Sequence, residues 1–520
     1  MNIHLLLELM AERDGTRAAL GPRDGDATYD VLVAGSLRIA TAIRRSGARS
    51  VAFVGLNGPP VPQLLFGSAA AGVPFVPLNY RLPGEVLAGL LGRLDRPLVI
   101  ADEGCAPALA PHVDVVHREA VWIAGAIGDN EPTEVAAAPD GPAVVLFTSG
   151  TTARPKAVEL GHDNLTSYVL GTVDLASASP DDATLVAVPP YHVAGVGATL
   201  SNVYSGRRLV YLPDFDPQAW IDAVQRERVS HAMVVPTMLA RIVEATGGVP
   251  PRVPTLRTLA YGGAPTAMPV LDQALALFPD VGFTNAYGLT ETSATIAVLG
   301  PDDHRASRAG GRPDKLGSVG RPVPGVDVQI RDDDGAETPA GEIGQLWVRG
   351  AQVSARYTDG GSALDADGWF ATRDRAFVDD DGYLFLGGRV DDVIIRGGEN
   401  IHPSEIEEVL VRHPLVRDVS VVGIPDEEWG QRIAAVVVRA DAGASAEQSE
   451  LDADAVRAFV RDRLRGSRTP DLVVFRADLP YGPTGKLARR DVAALVTEPD
   501  PPTPRGSAQK QSGTVTEVAR

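Results

Sequence analysis

Residues 143–160 read AVVLFTSGTTARPKAVEL. The apolar run Val144 to Phe147 has the length and composition of a buried strand. It passes directly into Thr148-Ser149-Gly150-Thr151-Thr152-Ala153-Arg154-Pro155-Lys156. Hydroxyls and exposed backbone amides donate to phosphate oxygens while a lysine adds charge, so a loop of this make-up after a strand suits a phosphate cradle. No Gly-Lys-Ser/Thr closes it, which separates it from a Walker A loop. A Ser/Thr/Gly stretch alone is ordinarily just a loop, and its surroundings decide the reading.

Working outward, short apolar runs recur: VAFVGL (51–56), FVPLN (75–79), PLVIAD (97–102), ATLVAV (183–188), RRLVYL (207–212) and AMVV (232–235). Stretches with helical spacing lie between them. In RLPGEVLAGLLGRL (81–94), Val86, Leu87, Leu90, Leu91 and Leu94 share one face. This alternation predicts an α/β fold, a large N-terminal domain of stacked sheets and helices. From Arg389 the texture changes. VDDVIIRGG (390–398) reads as strand and turn, HPSEIEEVLVRHP (402–414) as a helix with a Ser404/Glu407 capping box, and SVVGI and AAVVVRA as strands. DADAVRAFVRDRL (452–464) reads as a further helix, with Val456, Phe459, Val460 and Leu464 at helical spacing. The expected division is residues 1–388, a hinge at 389–391, a small mobile α+β domain at 392–498 and a disordered Pro/Ser/Gly/Gln-rich tail at 499–520.

Composition bounds the function. At 520 residues the chain holds several cores, and 44% hydrophobic with 22% charged residues is ordinary for a folded protein. Lys plus Arg (48) against Asp plus Glu (67) leaves −19, a field that repels nucleic acid and anionic lipid. Any phosphate ligand must therefore find local cations, backbone amides or a metal. Cys105 is the single cysteine, which excludes internal disulfides and cysteine-cluster zinc and fits a reducing cytoplasm. The N-terminal MNIHLLLELMAERDG lacks a basic n-region and reads as an amphipathic helix, and no apolar run reaches the ~18 to 20 residues needed to span a bilayer.

Two more apolar runs end in small or polar residues, LRTLAYGGAP (256–265) and VGFTNAYGLTET (281–292). Ligands in open α/β sheets gather beyond the carboxyl ends of strands, so three such endings imply one shared crevice. Backbone at Gly263, Ala264 and Pro265 could approach a flat ring, Tyr287 could stack on it, and Thr290 and Glu291 could reach phosphate and magnesium. The bland readings are a turn, a core tyrosine and a solvated glutamate.

TSGTTARPKAV, YGLTET, GWFATRD, GRVDDVIIRGGENIHPSEIE and PTGKLARR, in this order and spacing, resemble the signature motifs of the adenylate-forming (ANL) superfamily: acyl- and aryl-CoA synthetases, peptide-synthetase adenylation domains and beetle luciferases. VDDVIIRGGENIHPSEIE, PPYHVAGV and EEWGQ are most similar to the benzoate-type CoA ligases, such as 4-chlorobenzoate CoA ligase. The resemblance implies an ATP-, magnesium- and coenzyme A-dependent ligase acting on an aromatic, alicyclic or otherwise bulky carboxylic acid. It equally accommodates transfer of the acyl group to a carrier-protein phosphopantetheine or a partner enzyme, or a catalytically weak nucleotide-binding relative. It leaves a homodimer open.

By the same resemblance, Thr148, Ser149, Gly150, Thr151, Thr152 and Lys156 would cradle phosphate. Gly263, Ala264, Pro265, Asn285, Tyr287 and Gly288 would surround the adenylate. Thr290 would touch the α-phosphate, Glu291 would hold magnesium, and Asp374 and Arg389 would take the ribose hydroxyls. Lys486 would be the catalytic lysine, Asp391 the hinge, Gly397 and Gly398 the lining of the thiol tunnel, and Trp429 a platform for the nucleotide of coenzyme A. His192 would sit at the acid pocket near the tunnel. The chain departs from the pattern at Ala153 and Ala157, where the family carries glycine. A positive φ there would cost an L-residue roughly 1 to 2 kcal/mol.

Removing the residues after Asp500 is expected to leave melting temperature and turnover unchanged, since that stretch lacks the apolar side chains to offset the entropy of ordering it. A drop in either would show that the tail packs.

Overall fold

Strands buried at every position require cover on both faces, and Ser50–Val54 (β1) is buried throughout. The computed structural model describes every residue except 26, 138–140, 149–154, 309–312, 390–391, 427, 441–450, 465, 482–486, 488 and 498–520. With strands numbered in chain order, β1, β2 (Phe75–Pro77), β3 (Pro97–Ala101), β4 (His117–Arg118), β5 (Pro142–Thr148) and β6 (Lys156–Gly161) build one sheet. It is extended at one edge by β16 (Arg356–Tyr357) and β17 (Gly361–Ser362), in the order β17-β16-β6-β5-β2-β1-β3-β4. A second sheet runs β13-β12-β11-β10-β9-β7-β8, from β7 (Ala183–Val186), β8 (Arg208–Tyr211), β9 (His231–Val234), β10 (Thr258–Gly262), β11 (Gly282–Leu289), β12 (Ala294–Leu299) and β13 (Arg321–Pro322). A third is antiparallel: β14 (Val326–Arg331), β15 (Gly344–Gly350), β18 (Phe370–Val378) and β19 (Leu384–Arg389). The α/β architecture expected from the alternating runs is the one observed.

The parallel strands β8, β7, β9, β10 and β11 have their carboxyl ends on one side. That side receives the loops after β10 and β11, as a shared crevice requires. The helix Val193–Ser205 covers part of this sheet. His192 caps its start, Nδ1 accepting from Ala194 N at 3.2 Å, and Gly206 ends it in the left-handed region. The N-terminal segment is the helix His4–Asp14, with Leu6, Leu7 and Met10 buried.

Met1–Val393 and Ile394–Pro480 fall into two compact units. In the second, β20 (Ile394–Arg396) and β21 (Glu399–Ile401) pair, and β22 (Val416–Asp426), β23 (Gly430–Arg439) and β24 (Leu472–Arg476) form a small sheet. The helix Ala453–Arg461 buries Val456 and Val460 and is capped by Asp452. No helix among the described residues is long and apolar enough to cross a membrane.

Two local expectations change. Val86 is 43% exposed, so only Leu87, Leu90 and Leu91 of the helix Gly84–Leu91 form its buried stripe. The capping box does not form: Pro403 occupies the first helical position, where its fixed φ suits it, which makes His402 the cap residue and moves Ser404 inside the helix. Glu407 instead accepts from Val421 N at 2.7 Å and from both terminal nitrogens of Arg489 at 2.7 and 2.8 Å.

Gly262 ends β10 against β11, and a Cβ there would lie 2.1 Å from the Ala286 carbonyl oxygen. Gly89, inside the helix Gly84–Leu91, has nothing within 4 Å of its own Cβ position. Gly262→Ala is expected to cost about 1 to 3 kcal/mol by forcing two central strands apart. Gly89→Ala should gain about 0.5 to 1 kcal/mol from reduced chain entropy. Urea titration of the two variants beside the parent checks the opposite signs.

Candidate active site

Strand β11 carries chemistry on both faces because side chains alternate along a strand. Ala286 and Gly288 line a cavity of about 230 Å³ between the second sheet and the helix Val193–Ser205. Tyr287, between them, turns the other way and donates its hydroxyl to Asp374 Oδ2 at 2.5 Å. A bulge between Tyr287 and Gly288 shifts the pairing with β12 at this point.

Asp374 is 8% exposed and accepts on its other oxygen from Arg389 Nε at 3.0 Å. Asp374 and Arg389 face one another across β18 and β19, so the register of the third sheet makes this pair. Burial would lower the Arg389 pKa, but Asp374, Tyr287 and Glu291 outweigh it and raise it. Burial and the neighbouring Asp374 push the Tyr287 phenol well up, so it stays protonated and donates.

After β11 the chain makes a single 3-10 turn, Thr290–Thr292, tied down by Thr292, whose hydroxyl receives Leu289 N at 3.0 Å. Ser293 (φ 55) and Ala294 (φ 105) follow in the left-handed region, at a cost of about 1 kcal/mol or more each. The backbone of Glu291 is fixed by Ser354 N and Ala355 N, both donating to its carbonyl, at 2.9 and 3.0 Å. Its carboxylate accepts from the Tyr357 hydroxyl at 3.0 Å, and Lys156 Nζ lies 5.3 Å from the centre of the Tyr357 ring. Lys156 pairs with Thr148 across the β5–β6 ladder. Glu291, Tyr357, Lys156 and Thr148 thus form one group, and Tyr287, Asp374 and Arg389 another.

No three His, Cys, Asp or Glu among the described residues stand close enough to hold a metal by themselves. One carboxylate is nevertheless what magnesium takes from a protein when substrate phosphates and water complete its shell, and Glu291, bonded through a single oxygen, fits that.

His192 lines the cavity with Gly263 (φ 89), whose Cβ position is 3.9 Å from His192 Cε1. Ala264 is half-buried and Pro265 exposed just beyond. Asn285 lies in β11 opposite Tyr261 and Leu299. Ser149, Gly150, Thr151, Thr152, Ala153, Asp391 and Lys486 lie outside the described residues. Ala157 is a buried residue of β6 paired with Phe147, and it does not have the positive φ that would have made it strained.

In the second unit, Gly397 (φ 57) and Gly398 (φ 83) form the β20–β21 turn. Gly397 N donates to Trp429 O at 2.8 Å, and a Cβ on Gly397 would sit 2.9 Å from the indole. Trp429 is 46% exposed with the Arg396 guanidinium 5.4 Å from its ring. Tyr357 was not legible as part of the site: it lies 66 residues beyond Glu291, and RYTDG carries only a turn signal.

A family profile described as AMP-binding enzyme matches residues 7–358, and one described as AMP-binding enzyme C-terminal domain matches 405–486. A feruloyl-CoA synthase of an Amycolatopsis species is 35% identical over 491 residues, 89% of this chain and 93% of that protein. A fatty acid–[acyl-carrier-protein] ligase of Streptomyces coeruleorubidus is 32% identical over 503 residues, covering 93% and 94%. The solved amide bond synthetase of Marinactinospora thermotolerans superposes with a TM-score of 0.82 at 28% identity, covering 96% of this chain and all of that one. The chain therefore belongs to the AMP-binding enzyme family within the adenylate-forming superfamily and is an AMP-forming ligase of the acyl-CoA synthetase type.

Asp374→Asn keeps the shape of the Tyr287–Asp374–Arg389 chain and removes its charge. AMP binding, measured by calorimetry, should weaken by about tenfold or more, in line with loss of charge-assisted hydrogen bonds. Unchanged affinity would take Asp374 out of the nucleotide site.

Proposed function

We propose that this enzyme adenylates a bulky, mainly aromatic carboxylic acid with ATP, releasing pyrophosphate, and then passes the acyl group to coenzyme A, releasing AMP. The observation that carries this reading is the alternation on β11, which sets an apolar cavity and a Tyr-Asp-Arg chain one residue apart on opposite faces of one strand. An acid in the cavity and a nucleotide against Tyr287 would meet at its carboxyl end.

In this reading the acid enters past His192 and Gly263 and lies along Val186, Met233 and Ala260. Its carboxylate is already ionised at neutral pH, so attack on the α-phosphorus needs orientation and relief of repulsion between two anions more than a base. Tyr287 supplies a ring face to adenine, and Asp374 with Arg389 takes the ribose hydroxyls. Thr148, Lys156 and Thr290 donate to phosphate oxygens. Glu291, oriented by Tyr357, would hold magnesium, which when bound neutralises phosphate charge. Lys486 adds a cation at the α-phosphorus during adenylation. In the second half-reaction a thiolate sulfur bonds to the acyl carbon, the acyl–phosphate bond breaks, and AMP leaves. Asp391 is the pivot between the two halves, Gly397 and Gly398 line the approach of the thiol, and exposed Trp429 offers a stacking face to the nucleotide of coenzyme A.

A second acceptor is motivated by the relative that is an acyl-carrier-protein ligase, 32% identical along almost the whole chain. Acid-dependent ATP–pyrophosphate exchange tests adenylation itself, and its absence across a panel of acids would leave only a nucleotide-binding role. Thioester formation that saturates with free coenzyme A supports the first acceptor; formation only with a loaded carrier protein supports the second.

Lys486→Ala should lower acyl-adenylate formation by orders of magnitude, with far less effect on thioester formation from presynthesised acyl-adenylate. Equal losses in both half-reactions would remove Lys486 from the adenylation step.

A further inference from the structure

Thr148 and Lys156, the two ends of the phosphate cradle, are neighbours of a cation that lies outside the signature motifs. Arg93 stands just after the helix Gly84–Leu91, and its side chain is only 11% exposed. One terminal nitrogen donates to the Pro155 carbonyl at 2.7 Å. The other donates to the Asp359 carboxylate, with which Arg93 forms an ion pair. The guanidinium carbon lies 4.9 Å from the centre of the Phe147 ring, and Nε is buried with no hydrogen-bond partner among the described residues. A planar fork meets three separate stretches of chain at once in this way, which the point charge of a lysine cannot do.

Those stretches carry the phosphate-facing group. Phe147 precedes Thr148 at the end of β5, and Pro155 precedes Lys156 at the start of β6. Asp359 lies two residues beyond Tyr357, in the turn between β16 and β17. The backbone completes the frame: Tyr357 pairs with Val158, and Thr358 N donates to Ala157 O at 3.0 Å. Tyr357 in turn donates to Glu291 and lies beside Lys156. One guanidinium therefore braces both the arm that bears Lys156 and the arm that bears Tyr357 with Glu291. The Tyr287–Asp374–Arg389 chain is built from β11, β18 and β19 and takes no bond from Arg93. Asp359 is 60% exposed, so water can replace its lost partner, and removing Arg93 costs placement of the two arms more than it costs folding.

We propose that Arg93 is a positioning residue for adenylation: by clasping Pro155 and Asp359 it sets the spacing between Lys156 and the Tyr357–Glu291 pair, and so serves the polyphosphate and its metal rather than the nucleoside. The proposal rests on the adenylating reading above for the ligand it serves.

The test uses the full-length protein and its Arg93→Met, Arg93→Lys and Asp359→Asn variants, in acid-dependent ATP–pyrophosphate exchange and in calorimetric binding of AMP and of magnesium-ATP. In Arg93→Met the KM for ATP and the dissociation constant of magnesium-ATP should rise about fivefold to tenfold, with the acid KM and the AMP dissociation constant within about twofold of the parent. Asp359→Asn should show the same selectivity at smaller amplitude, because an exposed partner contributes less. Arg93→Lys should stay several-fold weaker for ATP, since a lysine meets one partner at a time. A ratio of two affinities on one preparation is independent of the fraction folded. Equal loss for ATP and AMP, or a lower melting temperature with unchanged ATP affinity, would reduce Arg93 to a structural residue and overturn the proposal. A lysine variant equal to the parent would overturn it too, by showing that charge alone matters. Absence of exchange by the parent with every acid would sink the adenylating reading, while the ratio of ATP to AMP affinities would still decide for or against the clasp.

Discussion

The alternation of side chains along β11 is the constraint from which the site follows. A strand must send successive residues to opposite faces, so a cavity lined by Ala286 and Gly288 and a tyrosine aimed at Asp374 can be neighbours in sequence yet sit on separate sides of one backbone. The bulge at Tyr287/Gly288 and the left-handed residues Ser293 and Ala294 lie at the point where the chain leaves this arrangement, and the strain there is held by the Thr292 hydrogen bonds and by Ser354 and Ala355 gripping Glu291.

Electrostatics sharpen the picture. The chain carries −19 overall, a field unfavourable for an anionic nucleotide and an anionic acid alike. Around β11 it is locally offset by Lys156 and Arg389 beside Glu291 and Asp374, and Arg207 adds a cation to the lining of the cavity. These are short-range effects, and screening is weak at half-buried Lys156 and Arg207 and at buried Asp374. The distant excess of carboxylates therefore acts on solubility more than on the site.

Much of this was legible in the sequence. Short apolar runs suit strands covered on both faces, and every quoted run up to Val235 overlaps a strand. Tyr287, Asp374 and Arg389 could be named because they sit in contiguous motifs, and they meet in space. What escaped was set by tertiary context. Val86 has the spacing of its buried neighbours but falls at the margin of the stripe. Ser404 and Glu407 have the spacing of a capping box, yet a proline decides where that helix begins and a distant arginine claims the glutamate. Tyr357 and His231 are placed by sheet register, which brings together residues far apart in the chain and leaves no mark in local spacing.

Thr184, His231 and Thr258 line the cavity in one row across β7, β9 and β10, and Val186, Met233 and Ala260 in the next. These stacked rows turn the cavity into a graduated ruler. A polar side chain moved along a strand while staying on the same face advances two residues at a time, so the depth of a polar row changes in jumps of about 6.6 Å, comparable with the span of one aromatic ring. Under the proposed function, acids whose lengths differ by about a ring would then be matched without altering the backbone at the reacting end. Finer adjustment falls to the facing helix, where exchanging alanine for a larger residue shaves width and leaves length untouched.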